Sequence, residues 1–172
     1  MDFTLPEELQ MLKDNLRRYV DKEMIPVERE TVTEEEELKP EWQKKFQEGM
    51  KSLGLWMYDI PTEYGGQGLG ILARCIIWEE LARTIALPAR HSEITGPSVR
   101  AILFDLPEDL KKKYLYPVLE GKKHACFGQT EPDAGSDPGS MRTTATRDGD
   151  HYVINGTKRF ITGAASADFI QL

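Results

Sequence analysis

The chain has 172 residues, with 22 lysines and arginines against 29 aspartates and glutamates, for a formal net charge of −7. Hydrophobic residues make up 40% and charged residues 30%, the balance of a soluble globular protein long enough for one ordinary domain or two small ones. The acid excess excludes a general nucleic-acid binder, because phosphate recognition needs a basic face, but backbone N–H groups can still hold one local anion.

The first two thirds read as helices. Thr4-Leu5-Pro6-Glu7 has the form of a capping box, with Pro6 tolerated in a first turn. Leu5, Leu9, Leu12, Leu16 and Tyr19 then recur at spacings of four and three, one apolar stripe. The acidic run Glu34 to Glu37 reads as a solvated connection. A second helix from about Pro40 carries Trp42, Phe46, Met50 and Leu53 on one face and stops at Gly54. A third begins near Gly70, with Ile71, Cys75, Trp78 and Ala82 as its stripe. A fourth runs from Ile94 to Leu103, kinked or started by Gly96-Pro97. A fifth opens with Pro107 as its first residue and carries Leu110, Tyr114 and Leu115.

From His124 the period changes. His124 to Thr130, Met141 to Thr146, His151 to Ile154, Thr157 to Thr162 and Asp168 to Leu172 are strand candidates. Asp148-Gly149 and Asn155-Gly156 accept the positive φ angles of tight hairpins. The fold class is α+β: an all-α domain over 1–122, then the opening antiparallel strands of a β-barrel-like domain over 123–172. The last strand ends on Leu172, which predicts the front part of something longer.

Cys75 and Cys126 lie far apart, and His91, His124 and His151 are scattered, so no metal site is expected. Two reduced thiols, no apolar run of membrane-spanning length and no signal-peptide pattern predict a cytoplasmic protein.

Two glycine-rich stretches remain. Glu63 to Gly70, "EYGGQGLG", fails the spacing of a dinucleotide fingerprint and has no strand before it, so it reads as a close-packed loop between helices. The run "CFGQTEPDAGSDPGS", Cys126 to Ser140, is richer. Pro132 fixes φ, and Gly135-Ser136-Asp137 can present N–H groups and a hydroxyl to an oxygen-rich ligand. On the residues alone, a binding loop and a plain connecting turn both stand.

Thr130 to Asp137, "TEPDAGSD", resembles the signature of the acyl-CoA dehydrogenase family. "PTEYGGQGLG" is similar to that family's loop before its third long helix, and "DGDHYVINGTKRFIT" to its hairpin leading to the flavin. The resemblance covers essentially the whole chain. It implies a helical N-terminal domain and the start of a middle β-domain, under half of a family chain.

The resemblance further implies FAD as cofactor, α,β-dehydrogenation of an acyl-CoA thioester, and hydride transfer to the flavin. It implies an electron-transfer flavoprotein or similar acceptor, and assembly into a dimer or tetramer. Phe127, Gln129, Thr130, Gly135, Ser136, Phe160, Ile161 and Thr162 match flavin-lining positions. Thr130 matches the position at the pyrimidine side of the ring, and Gly135 and Ser136 those at the pyrophosphate. Ser136 also matches an acyl-CoA contact. Phe160 matches an aromatic wall that is often Trp, and Thr162 the position reaching flavin N5. If 157–162 is a strand, Phe160 and Thr162 point to one face. Gln129 stands where an apolar residue is common, with its contact through backbone or side chain left open. The family base lies beyond the matched region, so no catalytic residue is assigned, and this stretch alone is expected to be inactive. Glu131 and Asp137 read as loop-ordering or surface groups. The alternatives are an oxidase or flavin monooxygenase on the same scaffold, and a non-enzymatic helical interaction module.

Overall fold

The computed structural model describes residues 4–34, 37–87 and 93–172. Glu35 and Glu36, from the acidic run, and residues 88–92, including His91, lie outside it. The chain forms two compact units, Met1–Ser98 and Val99–Leu172.

In the first unit, α1 spans Glu7–Tyr19 and runs on through a π-helical turn, Val20–Met24, and a 3₁₀ turn, Ile25–Val27. Its first turn is acidic and its last turn basic, which suits the helix dipole. The N-cap is Pro6 rather than Thr4, so the capping box does not form in the expected register. Pro6 is extended, with ψ 148°, and its carbonyl accepts the Gln10 N–H at 2.9 Å, so the helix starts there without a side-chain cap.

Helix α2, Pro40–Ser52, buries Phe46 and Met50 as its spacing predicts. It ends at Gly54, where the Leu55 N–H reaches the Met50 carbonyl and the Gly54 N–H that of Lys51. This is the Schellman pattern, with a left-handed glycine, φ 70°, as the stop. Leu16, Val20, Met24, Phe46, Met50, Leu55, Tyr58, Ile77, Ala86 and Ile94 form one core. Each such large apolar side chain contributes about 1.5–3 kcal/mol by leaving water.

Helix α3, Ile71–Leu81, turns the opposite face inward from the one its spacing suggests. Ala73, Ile76, Ile77 and Glu80 are buried, while Ile71 and Trp78 are 74% and 59% exposed, and Cys75 and Ala82 are also exposed. The helix is apolar almost all round, so it offers two stripes. The buried one is selected by Glu80, whose carboxylate meets Arg17 of α1.

The predicted fourth helix is instead two short 3₁₀ turns, Glu93–Thr95 and Ala101–Leu103, because Gly96-Pro97 cannot continue a helix. The "EYGGQGLG" loop is the close-packed connection expected. The N–H groups of Gln67, Gly68 and Leu69 fold back on the carbonyls of Met57, Ile60 and Tyr58, and a β-carbon on Gly66 would collide with the Ile60 carbonyl.

After the Ala101–Leu103 turn, the second unit continues with a helical stretch made of α4, Glu108–Leu110, a π-helical segment, Lys111–Leu115, and α5, Tyr116–Leu119. Pro107 caps this stretch rather than starting it. Leu115 and Val118 are buried, and the Tyr114 ring lies 4.8 Å from that of Phe169. Strand β1, Ala125–Phe127, pairs with β4, Phe169–Gln171, in parallel, against the antiparallel order expected for the opening strands. Asp168 locks that register, since its N–H donates to the His124 carbonyl and its carboxylate accepts the His124 N–H. Strands β2, Thr144–Asp148, and β3, His151–Asn155, form the expected antiparallel hairpin. Its two-residue loop is Gly149-Asp150, one position later than Asp148-Gly149. Asn155-Gly156 makes no hairpin; Gly156 packs directly on Thr143, where no β-carbon fits.

Candidate cofactor site

The site is built from three stretches of the second unit. The first leaves β1 at Phe127 and turns at Glu131-Pro132-Asp133-Ala134. Glu131 and Ala134 exchange backbone hydrogen bonds, Glu131 N–H to Ala134 O at 2.8 Å and the return at 3.4 Å. Pro132 suits the second position of such a turn. Beyond it Asp137 caps a 3₁₀ turn, Pro138–Ser140, accepting from the Gly139 N–H and the Ser140 hydroxyl. Asp137 is thus the loop-ordering group expected.

Glu131 is another, and more than a surface group. Its carboxylate is 5% exposed and accepts from the Arg142 N–H at 2.6 Å, the Thr143 N–H at 3.0 Å and Lys158 Nζ at 2.9 Å. Hydrogen bonding from Thr143, then from the Arg142 N–H and Lys158, pulls its carboxyl down to about 2. Lys158 also donates to the Gln129 carbonyl at 3.1 Å. The Arg159 N–H donates to the Thr130 carbonyl at 2.8 Å. The loop, the entry to β2 and the segment after β3 are therefore tied together.

The segment 157–162 is not a strand. Phe160 adopts φ 57°, a left-handed conformation uncommon for an aromatic residue, which breaks the extended path. Phe160 and Thr162 are therefore not delivered by a two-residue alternation. The Phe160 ring is 78% exposed, with the Arg159 guanidinium 4.4 Å over it. Ile161 is half-buried and Thr162 exposed, at the start of a turn. Phe127 is 39% exposed under Arg100, which lies 4.6 Å from its ring. Thr130 and Gln129 are half-buried, and the Gln129 carbonyl is engaged by Lys158. Gly135 and Ser136 are exposed, and none of the described hydrogen bonds uses their N–H groups or the Ser136 hydroxyl.

Two family models match this chain. The acyl-CoA dehydrogenase N-terminal domain covers residues 6–122, and the acyl-CoA dehydrogenase middle domain covers 126–172.

The chain belongs to the acyl-CoA dehydrogenase family.

A glutaryl-CoA dehydrogenase of Desulfococcus multivorans is 38% identical over 179 residues, an overlap of 99% of this chain and 43% of that protein. The solved glutaryl-coenzyme A dehydrogenase–glutaryl-CoA complex matches with a TM-score of 0.69 at 37% identity, over 99% of this chain and 43% of that one. A glutaryl-CoA dehydrogenase from Mycobacterium smegmatis, solved in complex with FADH2, matches with a TM-score of 0.67 at 28% identity, over 96% of this chain and 42% of that one. The chain thus spans less than half the length of these family members. In the sequence, the loop and Phe160 are singled out by resemblance to the family. Lys158 was missed because nothing in "NGTKRFIT" says that its ammonium turns back 27 residues to Glu131.

Proposed function

We propose that this chain is the N-terminal portion of a flavin-dependent acyl-CoA dehydrogenase, with residues 1–122 as its helical domain and 123–172 as the start of its middle domain. The observation that carries this reading is the Arg159 N–H to Thr130 carbonyl bond, which joins the signature loop to the segment bearing Phe160. The donor set fits FAD. Gly135 and Ser136 offer unengaged backbone N–H groups suited to a pyrophosphate, and a β-carbon at Gly135 would meet nothing within 4 Å. Phe127 and Phe160 offer solvent-exposed rings, each beside an arginine guanidinium, that suit a flat heterocycle.

In this reading Phe127, Gln129, Thr130, Phe160, Ile161 and Thr162 line the ring, and Gly135 and Ser136 hold the pyrophosphate. Ser136 also touches the acyl-CoA. Bound FAD supplies a hydride acceptor for the β-hydrogen of an acyl-CoA thioester while the α-proton leaves to a base. The residues of this chain bind and orient; none is assigned as that base. The electron acceptor is an electron-transferring flavoprotein or similar carrier, the assembly a dimer or tetramer, and the compartment the cytoplasm, in keeping with two free cysteines. Among the described residues no helix is long and apolar enough to cross a membrane.

The test is an anaerobic titration of the full-length protein, loaded with FAD, against short, medium, branched, aromatic and dicarboxylic acyl-CoA thioesters. Bleaching of the flavin absorbance by at least one is the expected result. A flavin that stays oxidised with every thioester would overturn the dehydrogenase reading.

A further inference from the structure

The tie between Glu131 and Lys158 is more elaborate than a loop anchor requires. Lys158 Nζ is the donor to Glu131 Oε1 at 2.9 Å and to the Gln129 carbonyl at 3.1 Å, with Met141 Sδ at 3.6 Å. These three partners match the three N–H bonds of an ammonium. The Glu131 carboxylate answers with bonds from two consecutive backbone N–H groups, Arg142 and Thr143. The two side chains are 14% and 5% exposed, so the charges are largely withdrawn from water. Such a pair adds little net stability, because desolvation offsets the attraction, but it can select one arrangement of the chain.

The arrangement selected has a consequence. Lys158 holds the carbonyl before Thr130, and the next residue, Arg159, holds the carbonyl of Thr130 itself. The residue after that is Phe160, in its left-handed conformation. The ion pair therefore sits where the two halves of the candidate site meet, and it leaves the Gly135 and Ser136 N–H groups out of the network.

We infer that Glu131 and Lys158 are positioning residues for the flavin: they hold the Thr130–Ser136 loop and the Phe160–Thr162 segment in one fixed register, without touching the cofactor. This rests on the flavin reading above.

The test uses full-length protein and FAD. Glu131→Gln and Lys158→Met are each compared with wild type in three measurements. These are the FAD dissociation constant, the visible circular dichroism of bound flavin, and the far-ultraviolet spectrum of the flavin-free protein. The expected result is a rise in the dissociation constant of about ten- to a hundredfold, with altered visible dichroism and an unchanged far-ultraviolet spectrum. The altered dichroism reports the asymmetric surroundings of the ring, which a merely structural residue would leave as they are. A folded variant that keeps wild-type affinity and dichroism overturns the inference, and one folded variant suffices to decide. If neither variant folds, the pair is a fold element and the inference is overturned. Wild type that takes up no FAD overturns the flavin reading itself, a failure visible before any variant is made.

Discussion

Arg17 grips the fully buried carboxylate of Glu80 with two nitrogens, Nη2 to Oε1 at 2.7 Å and Nε to Oε2 at 3.0 Å. Arg83 Nη1 adds a third contact at 3.3 Å. The hydrogen bond to Glu80, then its charge, pushes the guanidinium of Arg17, charged in any case, further up from its ordinary value. Removing Arg17 takes the two shortest bonds from a buried carboxylate and leaves it only Arg83 at 3.3 Å and Lys13 at 3.9 Å, whereas replacing the carboxylate leaves Arg17 half exposed to water. Arg17→Met should therefore lower the melting temperature more than Glu80→Leu, which should stay within about 1.5 kcal/mol of wild type. Thermal melts of both variants check this, and the reverse order would count against Glu80 as an ionised anchor of α3.

Gly49 lies inside α2 because the Tyr19 phenol occupies the place its β-carbon would take. Burial, then the charge of Glu23, pushes that phenol up to about 12. In an open helix, Gly→Ala gains about 1 kcal/mol. Here Gly49→Ala should cost about 1–3 kcal/mol through overpacking. Adding Tyr19→Leu should recover part of the loss, which chemical denaturation of the single and double variants would measure.

Glu131 titrates at about 2 in the fold, against 4.5 for a free glutamate. A lowered value means that its contribution to stability is complete above the free value and is lost as pH falls from about 4.5 to about 2. Wild type should thus exceed Glu131→Gln in stability at neutral pH, and the gap should close across that acid window. A gap that stays constant down to pH of about 2 would show that the carboxylate is not the titrating group.

Phe160 stores backbone strain, since a left-handed conformation costs a residue with a β-carbon about 1–2 kcal/mol. Phe160→Gly relieves that strain but loses the Arg159 contact, about 0.5–1 kcal/mol at an exposed site. The stability of the flavin-free protein should change by less than about 1 kcal/mol. Phe160→Val keeps the strain and adds a branch at the β-carbon, so it should be the less stable variant. Both should weaken FAD binding, because both remove the ring. Wild-type FAD affinity in either variant would take the Phe160 ring out of the cofactor site.

Local rules settled much of the first unit. The spacing of Phe46 and Met50 and the stop at Gly54 are properties of one helix and its end, and they are read within a few residues. The same holds for the hairpin of β2 and β3, whose far ends, Thr144 and Asn155, lie only five positions from its Gly149-Asp150 loop. The signature Thr130 to Asp137 stood out for a different reason: it resembles a family pattern, whereas its residues alone left a binding loop and a plain turn both open.

Tertiary structure decided the rest. Helix α3 is apolar on nearly every side, so periodicity could not choose its inner face; a carboxylate paired with Arg17, 63 residues away, did. The parallel pairing of β1 with β4 depends on Asp168 bonding His124 across 44 residues. The turn at Phe160 overrides a segment with good strand residues, because Lys158 and Arg159 are drawn back to Glu131 and Thr130. Each case turns on a polar group that finds its partner far along the chain, and a local pattern carries no trace of which partner that will be.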